Sequence, residues 1–255
     1  AVHVARLGGF YTPSQFDHAD ALVVNSHGLA DHLVAAGLPA KRVHLIGNFV
    51  DTPRTCTADE LATRRAALPL PAHAWLLLAV GRCVPVKGWD VLLAALSQLP
   101  AQIGGRPLAL LLLGDGPLRP ALQRQAQQLG VAGRVHFAGW VDDPAPYYQL
   151  ADAVVFPSRA GEALGNVILE TWAQARALVT TASCGARELV RPGIDALQVP
   201  CDDAGALARA IGRLLGDEPL RAALAEAGAA RAAQEFGRDV VIGAYVDLYR
   251  QLLGV

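Results

Sequence analysis

From Val2 to Val199, short apolar runs alternate with longer stretches of helical periodicity. That alternation restricts the fold more than any other feature of the chain. Strands separated by helices imply a parallel sheet covered on both faces. The runs themselves are continuously apolar, as strands buried on two sides must be. Ligands of such sheets sit beyond the C-terminal strand ends, in the strand-to-helix loops, so chemistry is sought there.

The first series comprises strands at Val2–Leu7, Ala21–Asn25 and Val43–Ile46, a helix or turn at Pro13–His18 and a helix at Gly28–Ala36. Asn48-Phe-Val-Asp-Thr-Pro53 reads as a linker of polar turn residues closed by proline. In the second series the predicted strands are Trp75–Val80, Leu108–Leu113, Arg134–Phe137, Ala153–Phe156, Leu178–Thr181 and Ala196–Val199. Its helices are Asp59–Ala67, Trp89–Gln98, Leu118–Leu129, Pro146–Leu150 and Gly165–Gln174, with a further short helix beginning at Glu188–Val190. After Asp203 the chain is helical, over Leu207–Leu215, Leu220–Glu235 and Arg238–Leu252. No internal repeat interrupts this order.

Composition excludes several classes. A hydrophobic share of 53% against 18% charged residues supports a large core and excludes disorder. The net charge of -1 gives no bulk attraction to nucleic acid or an anionic membrane. Apolar runs such as Leu108–Leu113 are far too short to span a bilayer. Ala1 onward shows no charged segment leading into an apolar one, so no signal peptide is expected. Cys56, Cys83, Cys184 and Cys201 form no CxxC or Cys/His cluster and read as thiols of a reducing, cytoplasmic compartment. Methionine is absent and the chain opens inside a strand-like run, which suggests a natural N-terminus further upstream.

Three loops carry candidate chemistry. In Val80-Gly-Arg-Cys-Val-Pro-Val-Lys-Gly-Trp-Asp90, a strand end leads through Gly81 to a helix start. Arg82 and Lys87 then stand near a helix N-terminus, where free N–H groups and the dipole favour anions such as a diphosphate. Lys87 is one of only two lysines in the chain. Taken alone, a pair of solvated loop charges is the readier account of them. Leu113-Gly-Asp-Gly-Pro117 lacks the third glycine of a dinucleotide fingerprint, because Arg119 occupies that place. It reads as a tight turn with glycines for backbone reasons. In Phe156-Pro-Ser-Arg-Ala-Gly-Glu-Ala-Leu-Gly-Asn-Val-Ile-Leu-Glu170, Glu162 lies in the loop and Glu170 in the first turns of the next helix. Ionised glutamates accept strongly from neighbouring hydroxyls of sugar or ribose. A helix-dipole glutamate plus a solvated one is the bland alternative.

In order along the chain stand Asn25-Ser26, Asn48-Phe-Val-Asp51, Gly81-Arg82 with Lys87-Gly88, and Gly114-Asp-Gly-Pro117. Val135-His-Phe-Ala-Gly139, Ala151-Asp152, Pro157-Ser158, Glu162-x7-Glu170 and Glu188-Leu-Val190 follow. This ordered set resembles the C-terminal half of retaining glycosyltransferases with the GT-B fold, of the large family-four (group 1) type. The wording of Pro157-Ser-Arg159 and Leu164–Glu170 is similar to the bacterial branch that builds lipopolysaccharide cores and other cell-surface glycans.

The resemblance implies an α/β fold of two Rossmann-like domains with parallel sheets, the N-terminal one present only in part. Residues 1–52 would close that acceptor-side domain, 53–236 would form the nucleotide-sugar donor domain, and 237–255 would be a helix crossing back. It implies Arg82 and Lys87 at the donor diphosphate, Glu162 at the donor sugar and Glu170 at the ribose. The backbone of Leu164, Gly165 and Asn166 would approach sugar and phosphate. Gly81 would shape the phosphate loop, and Trp140-Val141 would lie where the base rests. The catalytic set would be Glu162, Arg82 and Lys87. No metal or other cofactor is implied, since protein cations take that part. The implied partners are a nucleotide-sugar donor and a glycan or lipid-linked acceptor, with no nucleic acid. The enzyme would be cytoplasmic, with peripheral attachment to the inner face of the membrane through the missing N-terminal region. A chain lacking that region would bind donor without completing transfer.

The chain departs from the family's pattern at three places. One extra residue stands between Ser158-Arg159 and Glu162, and Ala163 replaces a proline. Ala175 and Ala177 stand where glycine and proline are usual. A nucleotide-sugar epimerase on the same scaffold and a non-catalytic sugar-binding relative remain alternatives. An NAD oxidoreductase is disfavoured by the missing third glycine.

Overall fold

The computed structural model describes residues 1–254. Its first part contains β1 (Val4–Leu7), β2 (Ala21–Val24), α1 (His27–Ala35) and β3 (Val43–Leu45), with a short 3₁₀ turn at Pro13–Phe16. The three strands form a parallel sheet with β2 in the centre. All four residues of β2 are buried, which is why Ala21–Val24 reads as an unbroken apolar run.

The second part follows as α2 (Ala58–Ala67), β4 (Trp75–Val80), α3 (Trp89–Gln98), β5 (Gln102–Ile103), β6 (Arg106–Leu113) and α4 (Arg119–Gln128). Then come β7 (Val135–Gly139), α5 (Ala145–Leu150), β8 (Ala153–Phe156), α6 (Asn166–Ala173), β9 (Leu178–Thr181), α7 (Cys184–Leu189) and β10 (Leu197–Val199). Three helices end the chain: α8 (Ala204–Gly216), α9 (Glu218–Glu235) and α10 (Arg238–Leu253). The parallel strands lie in the order β10-β9-β8-β4-β6-β7. Chain order therefore runs outward from β4 in one direction, then returns beside β4 and runs outward in the other.

Alternate side chains of one strand feed opposite cores. Leu77 and Ala79 join Leu108, Leu110 and Leu112 under α3 and α8, while Leu76 and Leu78 join Leu111, Leu113 and Phe156 under α6. Each such leucine contributes about 1.5–3 kcal/mol by leaving water. Trp172 of α6 is fully buried and donates its Nε1 proton to the Asp195 carbonyl at 2.9 Å. Gly228 lets α9 cross directly over that indole, where any added Cβ would collide. The fully buried Asp195 carboxylate accepts from Arg191 at 2.7 Å and Arg231 at 3.1 Å, so its charge is paired twice.

α10 lies against the first sheet, with Val241 and Leu248 packed on Val23 and Ile46. At its start the chain runs beside the linker, the Val50 N–H donating to the Phe236 carbonyl at 2.8 Å.

Three expectations need correction. The sheet is not wholly parallel: β5 pairs antiparallel with the start of β6. Gly104 and Gly105, at φ +57 and +77, form the tight two-residue turn between them. The short helix expected to begin at Glu188–Val190 ends there instead. It spans Cys184–Leu189, and Val190 is already extended ahead of Pro192. The strand expected at Val2–Leu7 starts at Val4. By contrast, β4, β8, β9 and α3 have the bounds that the apolar pattern predicts.

Ala175 carries φ +50, the left-handed conformation that glycine adopts freely. It ends α6 in a Schellman turn: Ala175 N–H donates to Trp172 at 2.9 Å and Arg176 N–H to Thr171 at 3.0 Å.

Candidate active site

The strand order reverses between β4 and β8, and a parallel sheet opens a crevice at that point, beyond its C-terminal strand ends. The loops after these two strands are the two that carry Arg82, Lys87 and Glu162. They meet there. Lys87 Nζ donates to Glu162 Oε2 at 2.7 Å, with both side chains about five-sixths buried (15% and 16% exposed). The Ser158 hydroxyl donates to the same oxygen at 3.2 Å, and the Lys87 ammonium lies 5.2 Å from the centre of the Phe156 ring. Read along the chain, Lys87 and Glu162 are separate features; the fold makes them one ion pair.

Glycines allow the loops to approach this closely. Gly88, at φ +65, turns the chain into α3, and a Cβ there would collide with the Pro157 carbonyl. Gly165, at φ +89, starts α6, and its added Cβ would stand 2.6 Å from Phe156. Arg159 ties the two loops from outside. Its N–H donates to the Val86 carbonyl at 2.8 Å and its guanidinium to Asp90 at 2.7 Å and Asp202 at 2.8 Å. Arg82 is exposed, and its side chain has no hydrogen-bond or ion-pair partner among the described residues. Its cation is therefore uncommitted at the mouth of the crevice, near the start of α3. Gly81 (φ +146) leads out of β4 against Trp89, whose Nε1 donates to the Arg82 carbonyl at 3.0 Å.

Glu170, one turn into α6, accepts from the Tyr148 hydroxyl at 2.8 Å. Tyr148 is buried, and burial first, then the Glu170 carboxylate, pushes its phenol well above the usual range, so it remains a donor. Glu170, Tyr148 and Asn166 line a cavity of about 490 Å³, bounded on its other side by Phe49 and Asp51 of the linker and by Arg54 just after it. Arg54 forks onto Glu60 at 2.7 and 2.9 Å and also reaches Asp143. These bonds to Arg54 hold Asp143 and Glu60 below the usual carboxylate range. Trp140, after β7, is 75% exposed, its ring steadied by Nε1–H donation to Asp142 at 3.0 Å. Val141 beside it packs on the core that holds Tyr148. Leu164 is buried on the same core, and Asn166 receives a hydrogen bond from Asn48 of the linker.

The Gly114–Pro117 segment is the tight turn that the sequence suggests. Gly114 (φ +126) abuts the Gly81 carbonyl, and Gly116 (φ +152) would set a Cβ 2.8 Å from the Cys83 carbonyl. It supports the phosphate-loop candidate from behind. Asp115 is held low, first by the Gly116 N–H and then by Arg119. The four cysteines are unpaired thiols, and burial raises that of Cys83.

Sequence reasoning did not single out Tyr148, Arg54 or Asp143. Each acts through a partner 6 to 89 residues away, as Arg54 does with Glu60 and Asp143. Only the general rule that a buried tyrosine hydroxyl needs a partner could have marked Tyr148.

Two parallel α/β bodies that face one crevice across a polar linker define the class: a glycosyltransferase of the GT-B fold. The chain belongs to the glycosyl transferases group 1 family, whose model matches residues 75–217. It is 39% identical over 249 residues to the lipopolysaccharide core biosynthesis glycosyltransferase LpsE of Rhizobium meliloti (strain 1021). That match covers 97% of this chain and 69% of LpsE. Among solved structures, Anabaena HepE in complex with UDP and glucose is similar at a TM-score of 0.86 and 25% identity, over 99% of this chain and 71% of that one. A glycosyltransferase from Rickettsia africae ESF-5 shares the fold at a TM-score of 0.87 and 20% identity, over 98% of this chain and 70% of its own.

Proposed function

We propose that this chain binds a nucleotide-sugar donor for transfer to a glycan or lipid-linked saccharide acceptor, with retention of anomeric configuration. The Lys87–Glu162 pair at the switch point carries this reading, because it brings a phosphate-binding cation and a hydroxyl-binding carboxylate to one place. Arg82 and Lys87 hold the diphosphate, Glu162 and the backbone at Leu164–Asn166 hold the sugar, and Glu170 holds the ribose. The base rests at Trp140 and Val141. Residues 53–236 then form the donor domain, with residues 1–52 and the helix from 237 onward on the acceptor side.

In the reaction the bond from the anomeric carbon to the diphosphate oxygen breaks. The acceptor oxygen takes that carbon, and its proton passes to the leaving diphosphate oxygen. Negative charge grows on the leaving diphosphate as the sugar gains oxocarbenium character. Arg82 and Lys87 stabilise that charge in place of a metal ion. Likeness to LpsE supports a place in lipopolysaccharide-core or related surface-glycan synthesis. A lipid-linked acceptor would set that work at the inner face of the cytoplasmic membrane.

Titration calorimetry with UDP-, GDP- and ADP-sugars tests the reading. One of them is expected to bind, and Arg82→Ala to weaken it at least tenfold. Failure of all three to bind would overturn it.

A further inference from the structure

The two bodies touch through a pair of helices, at a point outside either donor loop. Glu188, on α7, reaches the N-terminus of α1, which follows β2 of the first sheet. Its Oε2 accepts from the His27 N–H at 2.6 Å and its Oε1 from the Gly28 N–H at 2.7 Å. The next free N–H of that helix, Leu29, is capped within its own body by Ser26 Oγ at 3.3 Å. The first helical N–H groups carry the positive end of the dipole, so a carboxylate placed there is favoured. Gly28 makes room for it. A Cβ at that position would stand 3.1 Å from Glu188 Oε1, although the glycine is not needed for a left-handed φ.

The other end of α7 is tied to the donor loop. Cys184 N–H donates to the Ala160 carbonyl at 3.2 Å and Gly185 N–H to the Glu162 carbonyl at 3.0 Å. Gly185 has no Cβ, and the Leu164 backbone lies in the space one would fill. A single short helix thus joins the segment Ala160–Leu164 to α1 of the opposite body. We propose that Glu188 is a closure latch: a positioning residue that locks α1 over the crevice and thereby sets the donor loop. This rests on the donor reading above, which it extends to the coupling between closure and binding.

The latch can be cut from either side. Glu188→Gln removes the charge and turns one N–H acceptor into a donor. His27→Pro removes one of the two donating N–H groups. Proline suits the first helical position, and Ser26 before it is already extended (φ -150, ψ 150). Hydrogen exchange on the whole chain reads the contact directly. The Gly28 amide is expected to exchange about tenfold faster in either variant, the scale of one charge-assisted hydrogen bond. Affinity for the nucleotide sugar found by calorimetry is expected to fall by a similar factor in both, with no further loss in the double variant.

Equal Gly28 exchange in the wild type and Glu188→Gln would overturn the latch. So would faster exchange with unchanged donor affinity, which would make Glu188 a simple helix cap. If no nucleotide sugar binds even the wild type, the donor reading fails by itself. The latch is then judged by the Cys184 and Gly185 amides, which speed up in both variants if α7 couples the two bodies and stay unchanged if it does not.

Discussion

Lys87→Met separates the two parts that the Lys87–Glu162 pair plays. The pair is 2.7 Å long, and about 15% of each side chain is exposed. A hydrogen bond to a charged group contributes roughly 1.5–3 kcal/mol, and solvent at both ends brings this toward the lower figure. The ammonium near the Phe156 ring adds about 0.5–1 kcal/mol. Methionine keeps the apolar stem of the lysine, so the packing loss is small. Lys87→Met is therefore expected to destabilise the chain by about 2 kcal/mol in urea unfolding. Glu162→Gln costs less, about 1 kcal/mol, because glutamine still accepts from Ser158 and the freed ammonium can turn toward water. The double variant is expected to show a coupling of about 1 kcal/mol or more. Additivity within about 0.5 kcal/mol would mean that the ion pair does not exist as described. Binding then divides the roles. Lys87→Met is expected to weaken UDP or its counterpart as much as the intact nucleotide sugar. Glu162→Gln is expected to weaken the nucleotide sugar only, since Lys87, no longer shared, is free for phosphate. A Glu162→Gln variant that loses the bare nucleotide as badly as Lys87→Met refutes the assignment of Glu162 to the sugar.

Ala175→Gly relieves the φ of +50 at an exposed site and is expected to stabilise by about 0.5–1 kcal/mol, a rise in Tm of roughly 1–4 °C by calorimetry. Tyr148→Phe removes the hydroxyl that fixes Glu170 and is expected to weaken nucleotide binding roughly three- to tenfold while unfolding stays cooperative; unchanged affinity would detach Glu170 from the ribose. The Arg54 fork predicts a pH dependence. Asp143 and Glu60 are held below their unfolded values of about 3.9 and 4.3, so the stabilisation is complete above those values and is lost as pH falls through the lower folded ones. The difference in urea midpoint between wild type and Arg54→Ala should thus be steady from pH 7 to 5 and shrink below about pH 4.

Much of the second sheet was legible because doubly covered strands leave a plain mark. Trp75–Val80 and Ala153–Phe156 are apolar at every position, and Leu178–Thr181, though it ends on two threonines, is buried throughout. The short elements were less legible. Gln102–Ile103 is a two-residue strand with no pattern of its own, visible only through the Gly104-Gly105 turn beside it. Cys184–Leu189 is only six residues long, too short for an apolar period to mark it, and its N-cap Ser183 makes no capping bond.

The site was legible as loops but not as a place. Apolar runs show where strands end, and the residues after them can be listed; they do not show which ends are neighbours. That depends on strand order, and β4 and β6 are too alike in composition for sequence to rank them. Parallel crossovers carry the chain from β4 to β6 to β7 along one side. The segment through α5 then brings it back to β8, on the far side of β4. Only this return sets Pro157–Glu162 beside Arg82–Lys87. It also explains why Lys87 is paired and Arg82 is not. Lys87 lies at the turn into α3, where Gly88 meets the Pro157 carbonyl and the β8 loop passes overhead. Arg82 leaves β4 five residues earlier, at the open mouth. Lys87 is thus held beside Glu162, while the Arg82 cation is left open to an incoming anion.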